Sequence, residues 1–151
     1  MINIIFNPIY KVKEYTDALS NAVRLALAHH DISENDIELS VVIETDEKLR
    51  DLNYQYRGID APTDVLSFSS DLINPETGKR YLGDVVISHM RAEAQADAGN
   101  HSITEECQML VVHGILHLLG HDHIQVGEKK IMWEKKKEIL KKLGLNIEMP
   151  E

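Results

Sequence analysis

Apolar positions along the chain recur at two periods, one of two residues and one of three to four, and their succession predicts strands interleaved with helices. Ile2 to Phe6 is an apolar run of strand length. From Lys11 to His30, the residues Val12, Tyr15, Leu19, Val23 and Leu27 fall on one helical face and predict an amphipathic helix. Ile37 to Ile43 is rich in β-branched residues, with Glu38 and Ser40 alternating outward near its start, and predicts a second strand. Asp46 is placed to cap a helix running to about Tyr56, buried through Leu49, Leu52 and Tyr56. Val65 to Phe68 and Leu82 to Ile87 predict two further strands. They flank Asn74-Pro75-Glu76-Thr77-Gly78, a turn-rich connection that either joins antiparallel strands or forms a mobile lid. Ser88 then begins a helix to about Ala98, ended by Gly99 and Asn100.

The second half is more apolar. Ser102-Ile103-Thr104-Glu105 has the capping-box pattern, and the helix it starts is apolar nearly all round, which predicts a central, buried position. A last amphipathic helix carries Ile131, Trp133, Ile139, Leu140 and Leu143 beside a set of lysines. Strands mixed with helices predict an α/β (α+β) fold: one small mixed sheet of about four strands with helices packed on it. With no repeat or linker in its 151 residues, the chain reads as one domain, 1–151, large enough to bury roughly two-thirds of its unfolded surface.

Composition narrows the function classes. A net charge of −9 argues against nonspecific coating of nucleic acid, but the charge is uneven. Between Ile124 and Gly144, seven lysines face three glutamates, an excess of four positive charges that leaves the rest of the chain at −13. Such a helix either guides a polyanion or is an ordinary solvated face. The single cysteine, Cys107, cannot pair within the chain, which suits a reducing cytoplasm and a role as a small buried apolar residue. The first residues lack the basic region of a signal peptide, and no segment approaches a transmembrane span, so no membrane partner is expected.

The chemistry is concentrated in His113-Gly114-Ile115-Leu116-His117-Leu118-Leu119-Gly120-His121-Asp122-His123. Four residues of helix turn through ~400° and rise about 6 Å, so His113 and His117 point the same way and can reach one ion. Gly120 can end the helix in the left-handed conformation and let the chain return, bringing His123 to the metal. Three imidazoles at about 2.0–2.1 Å suit zinc, one per chain, and leave a fourth tetrahedral position open, as catalytic sites do. Buried in an apolar run, unpaired imidazoles would be costly, so a metal accounts for them better than core packing does. His121 reads as a substrate-facing group or, preferably, a solvated turn residue, and Asp122 as a partner of a ligand histidine or a turn cap. Asp64 and Asp84 read as partners of a ligand histidine or, preferably, as structural groups that close a turn, and Met132 as a methionine beneath the metal or, preferably, as core. His29, His30, His89 and His101 read as solvated residues at helix ends.

The spacing is similar to the metzincin helix and turn, except that Gly114 stands where zincin peptidases carry the glutamate that takes a proton from water. That disfavours a peptidase. Four ordered blocks resemble instead the YbeY endoribonucleases, or ribosomal RNA maturation factors: Leu52-Asn53-Tyr54-Gln55-Tyr56-Arg57, Thr63-Asp64-Val65-Leu66-Ser67-Phe68, Leu82-Gly83-Asp84-Val85-Val86-Ile87-Ser88, and the histidine motif. Two departures are Ser69, where that family usually has proline, and His121, where it often has tyrosine. The resemblance implies a zinc-dependent, single-strand-specific endoribonuclease acting in 3′-end maturation of 16S ribosomal RNA and late-stage quality control of 70S ribosomes. Its implied partners are ribosomal RNA, the small ribosomal subunit and assembly factors. It also implies that His113, His117 and His123 bind zinc and that Arg57 is a catalytic arginine. A guanidinium suits that role because it grips phosphate bidentately and stabilises developing charge. The competing readings are a metal-dependent hydrolase of another substrate, peptidase-like, and a ribosome-assembly binding factor with structural zinc.

Overall fold

The computed structural model describes residues 1–10, 13–120 and 126–145, with the side chains of residues 13, 126–129 and 132 outside that description. The reading of Met132 as core therefore lies outside the described side chains.

Four strands form one sheet: β1 (Ile2–Phe6), β2 (Ile37–Glu44), β3 (Val65–Ser69) and β4 (Arg80–Ser88), in the spatial order β1-β2-β4-β3. β1 and β4 each pair in parallel with β2, and β3 pairs antiparallel with β4. Of the two expectations for the 74–78 segment, the structure realises the antiparallel connection, tightened by an Ile73–Arg80 bridge.

The helices are α1 (Thr16–Ala28), α2 (Asp46–Arg57), α3 (His89–Gly99), α4 (Ile103–Leu118) and α5 (Val126–Lys142). α1 starts later than its periodicity predicts. Tyr15, at its N-cap, offers no side-chain hydrogen bond, and residues Lys13–Tyr15 wind as a tighter 3-10 turn instead. The cap of α2 is Thr45 rather than Asp46: its hydroxyl accepts from the Lys48 amide at 3.2 Å. Asp46 is engaged elsewhere, accepting from Ser88 Oγ and Arg91 Nε, both at 2.9 Å. α3 ends as predicted, with Asn100 in the left-handed conformation at φ 57°.

The period-two pattern of the strands sends alternate side chains to two different layers. On one face Leu39, Val41, Ile43, Val85 and Ile87 join Leu19, Val23 and Leu27 of α1 and the apolar residues of α4 in the main core. On the other, Leu66 and Val86 pack with Leu49 of α2 in a smaller cluster, bordered by Val42, Leu52 and Phe68. Ser40, expected to face outward, is buried on this second face, where its hydroxyl is hydrogen-bonded to the Tyr81 hydroxyl at 3.0 Å. Tyr56, expected in the core, is 62% exposed and only lays its ring edge-on against Phe68, at 5.1 Å between centroids. A helix resting on one edge of a narrow sheet buries a narrower stripe than its apolar sequence offers.

α4 has the central position its composition predicts. Its capping box is complete: Ser102 Oγ accepts from the Glu105 amide at 3.1 Å and the Glu105 carboxylate accepts from the Ser102 amide at 3.1 Å. It packs against α1, α3, α5, β3 and β4.

Candidate metal centre

The helical spacing of His113 and His117 produces the pair it predicts. Their rings stand 4.5 Å apart between centroids, and Nε2 of one lies 3.0 Å from Nε2 of the other. Two nitrogens on one tetrahedral zinc at about 2.0–2.1 Å are roughly 3.3 Å apart, so the pair fits that ion without rearrangement of the helix. Ile115, Leu116 and Leu118 of the same helix are buried, and the two imidazoles half-buried. The helix stops as expected: the Gly120 amide bonds to the His117 carbonyl at 3.0 Å, and Gly120 takes φ +90°. His121, Asp122 and His123 lie outside the described residues, so among those described the site is the histidine pair.

Gly114 has a physical reason to be glycine. A Cβ there would lie 2.5 and 2.9 Å from the two methyls of Val85 and 3.2 Å from Ser67 Oγ. Ser67 Oγ also donates to the Gly114 carbonyl at 3.1 Å, holding the helix on β3. This position faces the sheet, away from solvent, and has no room for a carboxylate. The one-residue step from His113 that gives zincins their base gives this chain a close helix-to-sheet approach.

Behind the histidines is a buried charged cluster that the sequence pattern did not predict. Lys136 of α5 is only 7% exposed, and its Nζ lies 3.1 Å from His113 Nδ1. Burial pushes its ammonium down to about 8, against the opposing pull of Asp64 and Glu106. Glu106, two helical turns before His113, is 2% exposed. Its Oε1 is 2.6 Å from His101 Nε2, and Oε2 has no hydrogen-bond partner among the described residues. Burial raises its carboxyl above the usual range, and the contact with His101 offsets that only in part. His101 is thus a partner of a buried acid, not a solvated helix-end residue. A signal for Lys136 was present: it falls three residues after Trp133 and three before Ile139, on the apolar stripe of α5.

The two aspartates take structural roles. Asp64 accepts from Thr63 Oγ1 at 3.4 Å and Gln95 Nε2 at 3.3 Å, and its carbonyl accepts from the Ser88 amide at 2.9 Å, fastening β3 to α3 and the end of β4. Asp84 accepts from the Tyr81 hydroxyl. Cys107 is buried in α4, where desolvation pushes its thiol up to about 12, so it behaves as an apolar residue. Of the other histidines, His89 stacks on Tyr10 at 4.2 Å.

Arg57 is the exposed last residue of α2, and its guanidinium makes no hydrogen bond or ion pair among the described residues. α2 and α4 both touch the edge strand β3, from opposite faces of the sheet. On the α2 face there is an open cavity of about 480 Å³, lined by Ser40, Leu52, Tyr56, Phe68, Tyr81 and Asp84 among others.

Comparison with known proteins adds a family to this geometry. The sequence profile described as endoribonuclease YbeY matches residues 5–144. A protein named endoribonuclease YbeY from Lysinibacillus sphaericus is 40% identical over 139 residues, 87% of this chain and 88% of its own length. The protein of that name from Pelotomaculum thermopropionicum is 50% identical over 111 residues, 72% of this chain and 73% of its own. That from Roseiflexus castenholzii is 39% identical over 153 residues, 98% of this chain and 96% of its own. The solution structure of TM1509 from Thermotoga maritima superposes with a TM-score of 0.63 at 26% identity, covering 95% of this chain and 89% of that one.

Proposed function

Because this chain belongs to the endoribonuclease YbeY family, we propose that it is a zinc-dependent, single-strand-specific endoribonuclease working on ribosomal RNA, with its chemistry centred on His113 and His117. The observation that carries the metal is the 3.0 Å approach of the two Nε2 atoms on the mostly apolar second half of α4. His113, His117 and His123 would hold the ion. When bound, zinc supplies Lewis acidity, polarising a phosphoryl oxygen and acidifying water.

The protein's own contribution is orientation and charge. α4, clamped to β3 through Ser67 and Gly114, holds the imidazoles rigidly. The apolar residues around them lower the local dielectric and strengthen their hold on charge. Arg57 would grip a phosphate through two parallel hydrogen bonds and stabilise charge developing on its oxygens. With Gly114 pressed against Val85, no carboxylate base follows the first histidine, which weighs against a peptidase.

The place of action belongs to the same reading: 3′-end maturation of 16S ribosomal RNA and late quality control of ribosomes, in contact with the small subunit and its assembly factors. A reducing cytoplasm suits a chain whose one cysteine is buried. Among the described residues, no helix is long and apolar enough to cross a membrane.

The deciding experiment is single-turnover cleavage of a defined single-stranded RNA by metal-analysed protein, beside a duplex control and a peptide substrate. Cleavage of the single strand alone, abolished in His117→Ala together with the zinc, is the expected result. Zinc whose removal melts the fold, without any RNA cleavage before removal, would favour a binding factor with structural metal instead.

A further inference from the structure

The α2 face of the sheet carries a cavity that the histidine chemistry does not use. At about 480 Å³ it falls within the range of roughly 300–1,000 Å³ that takes a small planar ligand. Leu52, Tyr56 and Phe68 give its lining an apolar part, and Ser40, Tyr81 and Asp84 a polar one. Tyr56 is 62% exposed, on a helix whose Leu49 and Asn53 are buried. Phe68 meets it at 5.1 Å with 60° between the rings, which props the tyrosine and leaves most of it uncovered. An exposed, propped ring is a stacking surface for a nucleobase, and only an unpaired base can leave its own stack to use one.

The polar part chooses among bases. Asp84 Oδ1 accepts from the Tyr81 hydroxyl, and its Oδ2 makes no hydrogen bond among the described residues. An ionised carboxylate only accepts. Of the four RNA bases, guanine alone carries two adjacent N–H donors on its pairing edge, at N1 and the 2-amino group, so its edge is the one a carboxylate matches.

We propose that this cavity seats one unpaired base of the RNA substrate, guanine by preference, with Tyr56 stacking on its face and Asp84 accepting from its pairing edge. The inference rests on the reading of the chain as a nuclease of single-stranded RNA. It goes beyond that reading by naming where an unpaired base is held and which base it is. The neighbours suit the role. Arg57 directly follows Tyr56 and is free to meet a phosphate beside the stacked base. Ser67, which precedes Phe68 on β3, donates to the Gly114 carbonyl next to His113, so a single strand separates the seat from the histidine helix.

The test is binding of a short, fluorescein-labelled 2′-O-methyl oligouridine, which resists cleavage, with and without one central guanine, to the full chain, read by anisotropy over a range of salt. The parent is expected to bind the guanine oligomer more tightly than the plain one. Tyr56→Ala should weaken binding of the guanine oligomer by about 10-fold or more, the scale of one lost base stack, and Tyr56→Phe should keep most of it. The salt slope should not change in Tyr56→Ala, because stacking neutralises no phosphate. Asp84→Asn keeps an acceptor for Tyr81 but brings an N–H donor to the base, and should erase the preference for guanine. A merely structural role for either residue would lower the melting temperature and weaken both oligomers alike.

Tyr56→Ala binding as tightly as the parent overturns the inference, and is the result expected if the cavity seats a segment of a partner protein instead. A parent that does not distinguish the two oligomers overturns it as well. If Asp84→Asn does not fold, Tyr56→Ala, altered at an exposed ring, decides alone. RNA binding that ignores Tyr56 removes only the base seat, whereas a parent that binds neither oligomer overturns the RNA reading and this inference with it.

Discussion

At Gly114 one hydrogen atom in place of a methyl decides how α4 sits on the sheet. Gly114→Ala puts a Cβ 2.5 Å from a Val85 methyl, and valine, stiff at χ1, cannot swing away cheaply. The expected cost is about 1–3 kcal/mol of stability, read by urea unfolding, with a smaller loss if Val85→Ala is added. An additive double variant would mean that the two groups do not meet. Glu106 makes a second prediction at this scale. Its folded pKa lies above the ordinary 4.5, so its contribution to stability is fully present below that value and is lost as pH rises through the folded one. His101 and Lys136 pull the folded value back down and Asp64 pushes it up. Glu106→Gln keeps the shape without the charge, and its stability relative to the parent should therefore improve from pH 4 towards pH 7. A difference in melting temperature that stays flat across that range would show that burial does not penalise this carboxylate.

At the scale of elements, α5 carries two kinds of lysine that look alike in the sequence. Lys137, Lys141 and Lys142 are exposed, and Lys137 stands over the Trp133 ring at 5.8 Å, whereas Lys136 is buried against α4. Reversing the whole triplet of Lys135, Lys136 and Lys137 would drive an unpaired acid into the core and confuse unfolding with weakened binding. Lys137→Glu with Lys141→Glu is the cleaner pair. If α5 guides RNA, this double variant should bind more weakly and should flatten the dependence of log affinity on log salt, by roughly 0.7 for each phosphate no longer neutralised. An unchanged slope would leave α5 as a solvated face with one buried lysine.

Across the whole molecule, the proposed function needs the arginine and the histidines to act on one substrate from different layers. Arg57 ends a helix on one face of the sheet, and the histidines sit on a helix packed on the other, with edge strand β3 between them. A strand of RNA passing that edge would meet both. Arg57→Ala is expected to keep its zinc and its melting temperature while single-turnover cleavage falls by ~10²-fold or more, with Arg57→Lys recovering only part. Wild-type cleavage by the alanine variant would limit Arg57 to docking or structure.

What the sequence by itself determined is what its short-range periods encode. The strand at Ile2–Phe6, the capping box at Ser102, the stop after α3 and the facing pair of His113 and His117 all depend on residues within about one helical turn or a few strand positions of each other. The alternation of β2 also revealed two faces, but not that the second was covered: Ser40 is buried there and meets Tyr81, 41 residues on. Likewise Ser67 meets the Gly114 carbonyl across 47 residues and Lys136 meets His113 across 23. Tertiary structure alone decided those meetings, because a residue's own period fixes the direction of its side chain but not what another element places there. A lysine on an apolar stripe can extend its head to water or turn it into the core, and α4 packed alongside is what turns Lys136 inward.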